Sequence, residues 1–407
     1  MRVVLLDPSG QLGGAERVLL DCIDVGDGWP GAEMSLVTLA GGPFIDAVRQ
    51  LGARTVVVEP PASLSAAGDA FAPAGAVVGA LLPGLLGFPS FFRRFSAAVS
   101  GFVPELIHSH GIKTHVLGSL LFHRAPLVWH LHDYLSTRSL SSRLLSLLSR
   151  RCALAIAVSE SVADDARSCL PADLRIVVVR NSVDCERFQP EGVAADLDAL
   201  AGLPVAPAGT VRIGLPATFA RWKGHEVFLE AAARLDRGNV RFYIIGAPLY
   251  QTANSQWSIA ELRQLVEKRG LAERVGFTGL MSDMPSAYRA LDVVVHASTR
   301  PEPFGLVIAE AMACGRAVAA APHGGAAELF VDREHAVSAT PGDGTALAVT
   351  LRALIDDPVE RTRLGARARA HAVRNFGRDR FAREMRSALT GLTTPAALIQ
   401  PVGAYRS

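Results

Sequence analysis

The feature that most constrains this chain is an alternation that runs, stops and starts again. Short apolar runs ("RVVLLD", "MSLVTL", "TVVVE", "ELIHSH", "LVWHLH", "LAIAVS", "IVVVRN") are interleaved with helical patterns such as "GAERVLLDCI", "KTHVLGSLLFH" and "SESVADDARSCL". Strands that are apolar nearly throughout, with helices between them, read as a parallel sheet covered on both faces. The stretch "QPEGVAADLDALAGLPVAPAGT", 189–210, then turns to Pro, Gly and Ala and reads as a linker holding a short helix. Its D-x-D, Asp196 and Asp198, reads as a solvated face of that helix. The alternation resumes with "VRIGLPA", "VRFYIIG", "VGFTG", "DVVVHAS" and "RAVAAA", and after about residue 343 only helical patterns remain. The expected fold class is α/β, with two doubly wound, Rossmann-like domains facing across a cleft. Residues 1–190 form the first, 191–209 the linker, 210–375 the second, and 376–395 a final helix.

A chain of 407 residues exceeds what one hydrophobic core usually supports, which agrees with two domains. Apolar content of 49% against 20% charged residues describes a folded chain rather than a disordered one. A net charge of +2 without a like-charge run leaves nucleic acid no electrostatic footprint, so no such partner is expected. The five cysteines are scattered and lack C-x-x-C spacing, which fits a reducing, cytoplasmic setting. One stretch stands apart. Residues 70–92 carry no charge and are followed by Arg93 and Arg94, so 70–94 is a candidate for peripheral contact with the inner membrane face. Three prolines within it, at 73, 83 and 89, argue against a membrane span.

Open α/β sheets bind ligands at the carboxyl ends of their strands, so the strand-to-helix loops carry the chemistry. The first, "DPSGQLGGAERVLL", brings Gly13 and Gly14 to a helix start, where backbone N–H groups can meet an anion. It matches neither G-x-G-x-x-G nor the P-loop, and a plain tight turn explains it equally well. His108 and His110 end one strand, and His130 and His132 another, each pair on one face by alternation. No acidic or Cys partner accompanies them at metal spacing, so no metal is expected. His110 and Asp133 lie where substrate contacts are plausible.

The second half opens with "GLPATFARWKGHEVFLEAA", which puts Lys223, one of three lysines in the chain, where strand gives way to helix. An ammonium beside helix N–H groups suits a diphosphate. Further on, "RPEPFGLVIAEAMACG" holds two carboxylates, Glu302 in a Pro-bracketed loop and Glu310 in a helix apolar on every side. Such a helix is buried, and a carboxylate inside it is costly unless it is hydrogen-bonded. Glu310 could accept from a ribose 2′,3′-diol or pair internally with Arg316 or Arg300; the residues alone divide these evenly.

Taken in order, "GGAERVLLD", "HSHG", "AVSES", "VVRNSVDCERFQP", "ARWKGHEVFLEAA" and "PEPFGLVIAEAMACGRAVAAAPHGGAAEL" resemble the retaining GT-B glycosyltransferases of glycosyltransferase family four. The E-x7-E pair Glu302 and Glu310 is the most specific element of the resemblance. The resemblance implies a nucleoside-diphosphate sugar donor, UDP or GDP, on the second domain, with Glu310 on the ribose. Lys223 and the Phe304, Gly305 and Leu306 amides would hold the diphosphate, with Gly13 and Gly14 approaching from across the cleft. Glu302 and His110 would flank the transferred sugar, and Asp133 would face the acceptor. It implies a hexose passed to a glycan, glycolipid or lipid-linked acceptor, with no cofactor and no metal. Two positions depart from the family pattern. Thr218 stands where an arginine is usual, leaving Arg221 as the candidate second cation, and Ser182 replaces a glycine after Asn181. A nucleotide-sugar 2-epimerase or a non-catalytic sugar-nucleotide-binding protein would share this architecture. Oligomeric state is not encoded in any of these motifs.

Overall fold

The computed structural model describes residues 1–24, 32–61, 74–235, 238–248 and 255–392, with backbone alone over 74–86. Seven strands form the first sheet: β1 (Arg2–Asp7), β2 (Glu33–Thr38), β3 (Arg54–Val57), β4 (Leu106–His110), β5 (Leu127–Leu131), β6 (Leu154–Ala157) and β7 (Ile176–Val178). Six form the second: β8 (Val211–Pro216), β9 (Val240–Ile245), β10 (Val275–Gly279), β11 (Val293–His296), β12 (Ala317–Ala320) and β13 (Val337–Ser338). Their orders are β3-β2-β1-β4-β5-β6-β7 and β10-β9-β8-β11-β12-β13, and neighbouring strands run parallel. Helices cover both faces of the first sheet: Val4 and Leu6 enter one apolar cluster, Val3 and Leu5 another. That is why these strands are apolar at successive positions instead of alternating.

Strand order reverses between β1 and β4 in the first sheet and between β8 and β11 in the second. At such reversals the flanking connections leave to opposite faces and open a crevice at the strands' carboxyl ends. The loops after β1, β4, β8 and β11 are therefore the ones placed to hold a ligand. Two-residue β13 and the helices Pro43–Gln50 and Ser139–Leu148 went unrecognised in the sequence; each is short, although Phe44, Ile45 and Val48 mark a buried face on the first of the helices at helical spacing.

The final helix, Arg378–Leu389, returns to the first sheet. Phe381, Met385 and Leu389, on one helical face, join Val3 and Leu5 in their cluster. Arg378 anchors its start through Asp21 at 2.9 Å and Asp24 at 2.8 Å. Ser182 does not take a left-handed backbone; its hydroxyl donates to Asp21 at 2.8 Å.

The linker corrects one expectation. Its helix, Leu197–Ala201, is present and Asp196 caps it, but Asp198 is not solvated. Asp198 is 2% exposed and accepts from Tyr243 Oη at 2.7 Å, Arg241 Nη1 at 2.8 Å and the Ala206 amide at 3.0 Å. An i, i+2 pair of aspartates points to different sides of a helix, and here one side meets the second sheet. Asp198→Ala would leave buried donors unpaired and is expected to lower stability by about 3 kcal/mol in urea unfolding of the full chain. A loss under about 1 kcal/mol would show the cluster to be dispensable.

The uncharged stretch becomes the helix Ala74–Gly101; residues 70–73 of the proposed membrane contact lie outside the described residues. From Phe88 onward this helix is amphipathic. Phe91, Phe95 and Val99 are buried in the first domain's core, while Arg93 is exposed and Arg94 donates to the Glu59 carbonyl at 3.2 Å. No helix among the described residues is long and apolar enough to cross a membrane.

Candidate active site

The loop after β8 folds onto the end of β11, and Gly224 is why. It has φ 80°, and a Cβ there would overlap the Ala297 carbonyl, so only glycine lets the two segments meet. The approach brings Lys223 against Glu302. Lys223 Nζ lies 2.9 and 2.7 Å from the two carboxylate oxygens. Ser298 Oγ donates to Glu302 Oε2 at 2.8 Å, and His296 Nε2 sits 3.3 Å from the same oxygen. Glu302 is 8% exposed. Burial alone would raise its carboxyl, but the Lys223 ammonium and the His296 hydrogen bond outweigh that and hold it well below the usual carboxylate range. Glu302 is a fixed anion. An ammonium has three N–H donors; two directions are spent on Glu302, and the Trp222 ring centre lies 4.1 Å from Nζ beside the third.

Gly305, with φ 101°, opens the helix Leu306–Ala313, whose first amides face the same crevice. Residues Ile308 to Ala313 are all buried, as the sequence of this helix requires. Glu310 is 8% exposed and pairs with Tyr288 rather than with Arg316: Tyr288 Oη donates to it at 2.7 Å. Arg316 is directed elsewhere, to the Cys314 carbonyl at 2.9 Å. Burial raises the Glu310 carboxyl above its ordinary value, with Arg17 of the first domain and the Tyr288 hydrogen bond opposing. One hydrogen bond leaves most of the carboxylate's four acceptor positions open.

The first domain meets this crevice at several points. A methyl group on Gly14 would rest 3.5 Å from Leu306 Cδ1, so the Gly13-Gly14 loop lies against the start of that helix. Gly13 N donates to Glu16 Oε2 at 3.0 Å, which closes its helix start as a cap. His110 is buried at the end of β4, its Nδ1 2.9 Å from His132 Nε2. Asp133 is exposed, with Arg138 3.7 Å away. Thr218 is half-buried just past β8. Arg221 departs from its expected role: its guanidinium pairs with Glu261 at 2.8 Å and stacks 3.7 Å from the Trp257 ring centre. In this arrangement it does not supply a second cation beside Lys223.

The histidines gather more tightly than their spacing suggested. Ring nitrogens of His108, His110 and His130 all lie within 4.8 Å of one another, a donor set that zinc accepts. Burial and mutual repulsion push His108 down to about 3, and burial pushes His132 down to about 4, so the imidazoles are neutral. The His108 and His130 rings lie 5.2 Å apart with planes 6° apart, and His110 is tilted by 44° and 46° to them.

Sequence reasoning missed His296, Ser298 and Tyr288. His296 and Ser298 stand six and four residues before Glu302 at the end of a strand, on one face, and that spacing was available as a signal. For Tyr288 no local pattern exists, since its partner lies 22 residues on.

Residues 208–371 match the family model "Glycosyl transferases group 1" and residues 13–187 the model "Glycosyltransferase Family 4". The chain is 35% identical over 242 residues to a D-inositol 3-phosphate glycosyltransferase of Xylanimonas cellulosilytica, covering 56% of this chain and 55% of that one. It is 32% identical over 205 residues to the lipopolysaccharide core biosynthesis mannosyltransferase LpcC of Rhizobium leguminosarum, covering 50% and 56%. The matched stretch thus spans about half the length of these curated relatives. The crystal structure of Anabaena HepE in complex with UDP-glucose superposes with a TM-score of 0.79 at 27% identity, over 96% of this chain and 99% of that one.

Proposed function

Because the chain belongs to glycosyltransferase family four, with the GT-B fold, we propose that it moves a hexose-type sugar from a nucleoside-diphosphate donor to an acceptor, with retention at the anomeric carbon. The observation that carries this reading is the pairing of Lys223 with Glu302 at the start of the helix that buries Glu310. Glu310 would take the ribose diol on its open acceptor positions. The diphosphate would lie between the remaining Lys223 donor and the amides from Phe304 to Leu306, with the Gly13-Gly14 loop closing over it. HepE, at 27% identity, was solved with UDP and with UDP-glucose, which supports UDP as the donor base here.

In the reaction the bond from the anomeric carbon to the phosphate oxygen breaks, and a bond to the acceptor oxygen forms on the same face. The acceptor proton passes to the leaving phosphate. Charge builds on that phosphate, and Lys223 with the helix amides would meet it in place, without a metal and without reorganisation. Glu302 is held by Lys223, Ser298 and His296, so it is an anion that accepts hydrogen bonds from sugar hydroxyls rather than a nucleophile or an acid. His110 would contact the sugar from the first domain. The acceptor, a glycan, glycolipid or lipid-linked saccharide, would enter past Asp133. Phe88 and Phe92, half-buried beside exposed Arg93, would bring that domain to an anionic membrane surface.

Calorimetric titration with UDP, GDP, TDP, ADP and NAD tests the reading. It expects one nucleoside diphosphate, UDP first, to bind in the micromolar range. Binding of NAD with none of the diphosphates would overturn it.

A further inference from the structure

Away from the Lys223 side of Glu302, a second set of contacts joins the two domains. Tyr134, in the loop after β5, donates its hydroxyl hydrogen to the Glu302 carbonyl at 3.1 Å. The Tyr134 hydroxyl oxygen accepts from the Gly325 amide at 3.2 Å and lies 3.0 Å from Ser161 Oγ. Glu302 is itself strapped to the segment 323–325: its amide donates to the His323 carbonyl at 3.0 Å, and its carbonyl accepts from Gly325 at 2.8 Å. One phenol therefore closes a loop of the second domain from the first. Glu328 follows on the short 3-10 turn Gly325–Glu328. Its carboxylate accepts the Ser161 amide at 2.8 Å and the Glu160 amide at 3.0 Å, at the start of the helix Glu160–Cys169, and Arg180 Nη2 lies 3.3 Å away.

The fit leaves no spare room. Gly324 has φ 68°, and a Cβ there would overlap the Tyr134 hydroxyl; one on Gly325 would lie 2.8 Å from Ser159 Oγ. Tyr134, Ser159, Glu160, Ser161 and Arg180 belong to the first domain, and Glu302, Gly324, Gly325 and Glu328 to the second. These contacts are separate from the return of the final helix, which joins the domains through Arg378, Asp21 and Asp24.

We infer that Tyr134 and Glu328 form a latch between the domains, and that through it Tyr134 is a positioning residue for Glu302. The latch fixes the Glu302 peptide from the acceptor side while Lys223 fixes its carboxylate from the donor side. Closure of the domains and placement of Glu302 then become one event. The consequence for turnover rests on the transferase reading; the latch itself does not.

The test uses the full chain with Tyr134→Phe, which removes one oxygen, Glu328→Gln, which keeps a carbonyl acceptor, and the two together. Small-angle scattering reads domain closure, release of UDP from UDP-glucose reads turnover, and UDP titration reads the donor site. The double variant is expected to have a larger radius of gyration than wild type at an unchanged melting temperature. Tyr134→Phe is expected to slow UDP release about tenfold with the UDP dissociation constant within about twofold, because Glu310 and Lys223, the side chains assigned to the ribose and the diphosphate, lie on the second domain. An unchanged radius in the double variant overturns the latch. Unchanged release, or a dissociation constant that moves in step with release, overturns the positioning role. If wild type neither binds UDP nor releases it, the UDP-donor reading fails, and the radius alone still decides the latch.

Discussion

Lys223→Ala is expected to lower turnover by roughly 10²- to 10³-fold, the range seen when one preorganised donor is withdrawn from a developing anion. The change also strands a buried anion. Glu302 loses the Lys223 ammonium at 2.7 Å while Ser298 and His296 still enclose it. Breaking a buried pair from one side costs about 3–5 kcal/mol, so the variant is expected to unfold at lower urea as well. Those two losses separate in Lys223→Met/Glu302→Gln, which removes both charges. Stability is expected to return there while turnover stays low. A double variant with restored turnover would show that Lys223 serves only to neutralise Glu302.

The pair also fixes a pH dependence. Glu302 has a lower pKa in the folded chain than in the unfolded one, so its contribution is present above the unfolded value of about 4.3 and is lost as pH falls toward the folded value. The stability gap between wild type and Lys223→Ala is therefore expected to be constant above about pH 5 and to narrow below about pH 4. Urea midpoints between pH 3 and 8 read this directly.

Glu310→Ala is expected to weaken nucleoside-diphosphate binding by about 10- to 100-fold, since hydrogen bonds to a buried carboxylate are worth roughly 1.5–3 kcal/mol each. The Tyr288 hydroxyl would lose its acceptor in the same variant, so Tyr288→Phe is the control. It keeps the carboxylate and is expected to cost much less in affinity. The Glu310 carboxyl is shifted in the opposite direction to that of Glu302, and its loss on acidification begins at higher pH. Burial raises the Glu310 carboxyl, so the proton is taken up at higher pH than usual, and a ligand that needs the anion binds more weakly as pH falls through that range. In Glu310→Gln this acid-side loss is expected to disappear. Calorimetry at several pH values would decide it; an unchanged profile in Glu310→Gln would remove Glu310 from the ribose site.

Much of the site was legible because it sits where chain periodicity changes. Lys223 and Glu302 lie where a strand gives way to a helix, and the alternation located those junctions. An apolar helix with one carboxylate is a contradiction visible in sequence, and it pointed to Glu310 before its partner was known. The linker shows the opposite case. Asp198 reads as surface because the linker around it is rich in Pro, Gly and Ala, yet Tyr243 and Arg241 pull it inward. Arg221 was counted as a phosphate ligand from its nearness to Lys223 along the chain, but Glu261 and Trp257 hold it.

The sequence by itself determined two parallel sheets, the loops at their carboxyl ends and the residue types in those loops. These follow from periodicity, which reports which face of an element is buried. Tertiary structure decided who meets whom: Tyr134 reaches Glu302 across 168 residues, and Tyr288 reaches Glu310 across 22. Such pairings depend on strand order and on where the domains touch, and a one-dimensional pattern carries neither.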